Sequence, residues 1–211
     1  VLVVLALLAL GGSALATFAA RSGDESGPAA EVTEVDGFEG PRSPFKGAVR
    51  PAGARAKDFA LHDQEGHLIS MRGLRGKVVV LSPMYTTCTD TCPLVSQQIR
   101  AALLDLSESE REQVAALALS VDPANDTAES AQRFLSKRRV DPYLDFLLGS
   151  EAELRPVWRA YGFSPQTEER EHNSYVVLID RRGRQRVGFP VNFLTPEALA
   201  HDLRLLLRRR S

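Results

Sequence analysis

The sequence predicts an α/β fold in which parallel crossover units come first and an antiparallel hairpin with a covering helix comes last. Three observations carry that expectation. Short apolar runs at 77–81 (KVVVL), 114–121 (VAALALSV) and 174–180 (SYVVLID) are continuous rather than alternating, as in strands buried on both faces. Segments with helical spacing of apolar residues lie between them, which is what crossover connections require. After the third run, only Arg181-Arg182-Gly183-Arg184 precedes another strand-like segment at 185–189, the spacing of a hairpin.

Composition supports one core. Of 211 residues, 44% are hydrophobic and 25% charged, an ordinary globular balance. Lys+Arg 26 against Asp+Glu 27 leave a net charge of −1, which excludes a chain-wide basic surface and with it a nucleic-acid partner. Two cysteines cannot build a disulfide-rich scaffold, and Gly 15 with Pro 12 is too little for a low-complexity chain.

In chain order, residues 1–20 (VLVVLALLALGGSALATFAA) carry no charge. Twenty helical residues span roughly 30 Å, the thickness of a bilayer core. A transmembrane anchor or a signal peptide is expected; the length suits an anchor, and the small residues near Ala14 to Ala20 suit signal peptidase. Either way the remainder is expected to be exported. Residues 21–55, rich in Gly, Pro, Ser and charge, read as a flexible linker, and 56–211 as the folded domain.

Within that domain, 59–63 and 68–71 flank the turn Gln64-Glu65-Gly66-His67 as a first hairpin. The strand 77–81 is bounded by Gly76 and Pro83, and a helix follows, with Pro93 at its first position and Cys92 as its N-cap. After the strand 114–121, a polar-faced helix is expected over 127–139 and a short strand at 145–148. Ser150 with Glu153 makes a capping box for a helix through Trp158 and Tyr161, kinked at Pro156. Behind the final hairpin, Thr195 as N-cap and Pro196 start a helix carrying Leu199, Leu203, Leu206 and Leu207. This order is a thioredoxin-like fold with an N-terminal β-hairpin extension and an insert after the second strand.

Both cysteines fall in Tyr85-Thr86-Thr87-Cys88-Thr89-Asp90-Thr91-Cys92-Pro93, between a buried strand and a helix, where open α/β sheets place their ligands. The free N–H groups and positive dipole end of a helix favour a thiolate there. A purely structural disulfide is the plain reading, but so short a loop gains only about 2 kcal/mol against about 3 for a fifteen-residue loop. Redox work or metal binding remains. Of the four histidines, His62 and His67 flank a turn and are expected to be solvated, and His201 sits on or beside the polar face of the last helix. His172 ends a polar stretch immediately before the third buried strand, whose start lies against the cysteine loop in a thioredoxin fold. Thioredoxin-type oxidoreductases place a cis-proline just before that strand and two residues between their cysteines. Here the strand is preceded by Glu171-His172-Asn173-Ser174, and three residues separate the cysteines. Both features point toward a metal site of Cys88, Cys92 and His172. Two thiolates and an imidazole suit Cu(I) and also bind Cu(II), whereas zinc asks for a fourth ligand. Asp90 either shapes the loop or meets a partner, and Tyr85 is read as packing.

These residues resemble the Sco/SenC family, exported copper proteins of cytochrome c oxidase assembly. Tyr85-Thr86-x-Cys88-x-Asp90-x-Cys92-Pro93 is similar to the family's Tyr-Thr-x-Cys-Pro-Asp-x-Cys-Pro, with Thr89 in place of its first proline. Ser120-Val121-Asp122-Pro123 with Asp126-Thr127 resembles its Ser-Val-Asp-Pro…Asp-Thr-Pro, and His172 before 174–180 resembles its Asp-His-Ser ahead of a strand. Glu171 stands where the family has Asp, Asn173 intervenes before Ser174, and Arg181 replaces a proline.

The resemblance implies a metallochaperone, tethered on the extracytoplasmic (periplasmic) side of a membrane. Copper, as Cu(I) or Cu(II), would be held by Cys88, Cys92 and His172. Its implied partners are a cytochrome c oxidase subunit carrying a copper site, other copper chaperones and thiol reductants. Cys88 and Cys92 are also a redox pair, able to reduce target cysteines. The alternative is an extracytoplasmic thiol–disulfide oxidoreductase or thiol peroxidase that uses the two cysteines alone.

Overall fold

The computed structural model of the chain describes residues 43–166 and 175–208. These residues belong to one of two compact units, the one that starts at Arg42. The apolar run 1–20 and His172 lie outside the described residues. No helix among the described residues is long and apolar enough to cross a membrane.

Strands β1 (Ala48–Val49), β4 (Val78–Met84), β5 (Val114–Ser120), β6 (Asp145–Leu147), β7 (Tyr175–Ile179) and β8 (Gln185–Pro190) form one sheet in the order β1-β8-β7-β4-β5-β6. β4, β5 and β6 are parallel, joined by helices α1 (Thr91–Asp105), α2 (Glu108–Arg111) and α3 (Ala128–Arg138). β7 runs antiparallel to β4 and pairs with β8 as a hairpin, while α4 (Glu151–Tyr161) precedes it and α5 (Pro196–Arg208) closes the fold. β2 (Ala60–His62) and β3 (Leu68–Ser70) make the separate N-terminal hairpin. The α/β class and thioredoxin-like order expected from the sequence are present, with α3 and β6 between β5 and the crossover helix α4.

The side-chain period of two along β4 divides the core. Val78 and Val80 face Ile99 of α1, Phe134 of α3 and Leu203 of α5. Val79 and Leu81 face the other way, toward Leu61 of β2 and Trp158 and Tyr161 of α4. α1, α3 and α5 therefore cover one face of the sheet and α4 with the hairpin covers the other.

Three local expectations are corrected. β4 runs through Pro83 to Met84 rather than stopping at Leu81. The Met84 carbonyl accepts from Val121 N–H at 3.0 Å, so Pro83, one residue earlier, faces the opposite side. Pairing with β7 has already ended there at Leu81, and a missing N–H costs nothing. α1 is capped by Asp90, not Cys92, and Pro93 occupies its third position, still within the turn whose N–H groups need no helical acceptor. α4 carries Pro156 inside it and starts at the expected Ser150–Glu153 capping box.

The third correction is the start of the fold, which precedes Ala56. The N–H groups of Lys46 and Gly47 donate to the carboxylate of Asp202 on α5, at 2.8 and 3.0 Å at closest. β1 then pairs with β8, Ala48 opposite Gly188. Composition misreads this stretch because its order comes from a residue far along the chain.

Candidate metal centre

β4 ends at Met84 and α1 begins at Thr91, so residues 85–90 form a short loop at the carboxyl end of the central strand. Two anchors hold it. Cys88 N–H donates back to the Tyr85 carbonyl at 3.3 Å. Thr86 N–H donates to Asp126 Oδ1 at 2.7 Å, and the Ser120 hydroxyl at the end of β5 donates to Asp126 Oδ2 at 2.6 Å. Asp126 is buried, and that burial pushes its carboxyl pKa up against the opposing pull of the two donors. The Trp158 indole N–H fixes the same corner by donating to the Ser120 carbonyl at 2.8 Å.

Both cysteines are free thiols, 3% and 2% exposed, so the loop presents its sulfurs from inside the fold. Because Asp90 is the cap, Cys92 lies in the first helical turn with an unclaimed N–H, and that N–H donates to Cys88 Sγ at 3.2 Å. The neighbouring Cys92 thiol and Tyr85 hydroxyl also favour the Cys88 thiolate. The Cys92 thiol bond is the largest influence on Cys88; together these donors outweigh burial and bring its pKa down to about 6. Its partner is driven the other way. Cys92 is held well above the usual thiol range by its bond to Cys88 and by burial. One thiolate and one thiol share a proton-poor corner.

Arg138 of α3 supplies positive charge. Its guanidinium stacks on the Phe134 ring at 3.8 Å and donates to the Phe134 carbonyl at 3.1 Å, with a long 3.5 Å contact to the Cys88 carbonyl. Burial lowers its pKa, while the two cysteine sulfurs pull the other way. Asp90, at the exposed tip, caps α1 through Thr91 N–H and lies 3.7 Å from Cys88 Sγ.

The sequence therefore located Cys88, Cys92 and Asp90, and the structure brings them together. His172 lies outside the described residues. Among those described, no cluster of three or more His, Cys, Asp or Glu side chains is placed to hold a metal ion. His67 pairs with Asp63 at 3.2 Å while 68% exposed, His201 pairs with Asp202 at 2.9 Å, and His62 is an exposed strand residue. Tyr85, read from sequence as packing, also touches the chemistry through its bond to Cys88. Arg138 and Asp126 were not singled out for the site. Arg138 left no local signal, because its place beside the loop comes from packing α3 next to α1. Chemically, the corner offers two soft sulfur donors, partly deprotonated and shielded from water.

Comparison with known proteins gives the family and the fold. A family described as SCO1/SenC matches residues 48–208. Protein SCO1 homolog 1, mitochondrial, of Arabidopsis thaliana is 29% identical over 119 residues, 56% of this chain and 35% of that protein. The chain thus matches about a third of that relative's length. The structure of Bradyrhizobium japonicum ScoI with copper bound is 31% identical and covers 72% of this chain and 99% of its own, with a TM-score of 0.58. Apo Sco1 from Thermus thermophilus shares the fold at a TM-score of 0.67, with 24% identity over 79% of this chain and 99% of its own.

Proposed function

The chain belongs to the SCO1/SenC family, and on that premise we propose that it is a copper carrier for assembly of the copper centre of cytochrome c oxidase. The copper is cargo. Cys88 and Cys92 bind it through sulfur and His172 through a ring nitrogen, and the apolar run 1–20 tethers the domain on the extracytoplasmic side of a membrane. One observation carries the reading: the chain's two cysteines converge at one buried corner, where the Cys92 N–H donates to the Cys88 sulfur at 3.2 Å. Metal binding needs deprotonated sulfur, and an acidic Cys88 supplies one ligand ready at neutral pH. Copper displaces the Cys92 proton when that second sulfur binds. The copper-bound state of the 31%-identical Bradyrhizobium relative supports the same choice of cargo.

The test is anaerobic Cu(I) titration of the reduced protein. One copper per chain is expected. Cys88→Ser or Cys92→Ser should abolish tight binding, and His172→Ala should weaken it while leaving a two-sulfur site. Unchanged Cu(I) affinity and Cu(II) spectra in His172→Ala would remove the histidine from the ligand set.

The unequal acidity of the cysteines also supports a second reading, thiol–disulfide exchange. The Cys88 thiolate would attack a target disulfide to form a mixed disulfide. The Cys92 thiolate, formed by losing its proton, would then displace the target as a dithiol, leaving Cys88–Cys92 oxidised. That chemistry uses no histidine. Normal oxidase assembly with His172→Ala but none with Cys88→Ser would therefore make reduction, not copper transfer, the physiological work.

A further inference from the structure

A groove of about 380 Å³ runs between the cysteine loop and α3, with Thr87, Cys88 and Thr89 on one wall and Arg133, Lys137 and Arg138 on the other. Among the described residues that line it, three are cationic and none is acidic. The whole chain carries a net charge of −1, so this concentration of positive charge is local. Arg133 and Lys137 stand one helical turn apart on α3, and Arg138 follows directly. Their states differ in a way that matters. Arg138 is locked by the Phe134 ring, and its shielded Nε–H makes no hydrogen bond among the described residues. Lys137 is exposed and enters no ion pair among them. Arg133 pairs, among the described residues, with Glu129, both side chains being largely exposed (64% and 83%), an interaction weak enough to be exchanged.

We propose that this groove docks a carboxylate-rich segment of the protein that meets the cysteine pair. Charge complementarity selects the occupant. The Arg138 guanidinium, fixed in the wall by the Phe134 ring, contributes its charge to a site for carboxylates. Lys137 and Arg133 beside it add attraction and speed encounter. Hydroxyls of Thr87 and Thr89 line the same space and can bond a peptide backbone. Cys88 itself lines the groove, so a segment seated there lies alongside the cysteine loop. The docking rests on the copper-carrier reading only for what the partner does once seated.

The experiment keeps the two apart by using no copper. The full-length, reduced, metal-free chain in non-ionic detergent is titrated with a cysteine-free glutamate-rich peptide, and backbone amide shifts are read by NMR. Saturable shifts at 86–89 and 130–138 are expected, with no comparable response to the matching glutamine peptide. Arg133→Gln with Lys137→Gln should weaken binding roughly tenfold, two surface-pair contributions in all. Arg155→Gln with Arg159→Gln, on α4 across the sheet, should leave it unchanged. Thermal melts of each variant establish that it is folded. Equal loss in the α4 variant, equal binding of the glutamine peptide, or shifts mapping elsewhere would overturn the proposal. So would displacement of the peptide by millimolar phosphate at constant ionic strength, because that would make the groove a small-anion site. Loss of copper binding in the cysteine variants leaves all of these outcomes unaltered.

Discussion

The main-chain N–H of Cys92 donates to the sulfur of Cys88 at 3.2 Å, so the helix start that carries one cysteine stabilises the thiolate of the other. Asp90 as cap makes this possible. Had Cys92 been the cap, its N–H would lie outside the first turn and the two sulfurs would not be unequal in this way.

This inequality should appear in a thiolate titration. In the reduced, metal-free protein, absorbance near 240 nm should rise for one sulfur with a midpoint at about 6, while the second stays protonated through the ordinary thiol range. The depressed Cys88 pKa contributes stability that is complete above the unfolded thiol value of 9.0 and lost as pH falls through about 6. Urea midpoints between those limits should therefore fall with acidification more steeply than in Cys88→Ser.

Tyr85→Phe removes one donor to Cys88 and keeps the packing. The midpoint of the same titration should move up toward ordinary thiols, with little change in Tm. An unmoved midpoint would return Tyr85 to a packing role alone.

Asp126→Ala leaves the Thr86 N–H and Ser120 hydroxyl without their acceptor. The expected cost is about 2 kcal/mol in urea unfolding, together with weaker Cu(I) binding, because the loop loses its anchor to β5. Asp126→Asn retains an acceptor and should recover most of both losses. Copper affinity falling alike in the two variants would show that charge, rather than loop position, is what Asp126 supplies.

The N-terminal clamp is a separate unit of stability. Asp202→Ala deprives two main-chain donors of a buried carboxylate and should cost about 3 kcal/mol. Gly47→Ala places a Cβ 2.5 Å from Val187 Cγ1, so Val187 or β1 must shift. In both variants, hydrogen exchange at 46–50 should accelerate while Cu(I) binding persists. Loss of copper binding would instead couple the clamp to the cysteine loop.

The readable parts of the fold were those with local causes. Continuous apolar runs marked β4, β5 and β7, and the Thr195 and Ser150 caps stand where the sequence placed them. Two short elements were not recognised. β1 has two residues in a Gly- and Pro-rich stretch, and α2 is a single turn, although Ser107 and Glu110 form a capping box that marked it in the sequence. Pro83 was read as a terminator because the rule against strand proline ignores which side of the strand lacks a partner.

By itself the sequence determined the α/β class, the order of the longer strands and helices, and the placing of Cys88 and Cys92 at a strand-to-helix turn. Hydrophobic period, turn residues and motif spacing are properties of neighbouring residues, and they survive in a linear reading. Only the tertiary structure decided that Asp126 anchors the cysteine loop, that Asp202 clamps 46–47, and that Arg138 lies beside Cys88 from 50 residues away. Those contacts depend on which helices share a face of the sheet, and core packing between elements sets that, not any spacing along the chain.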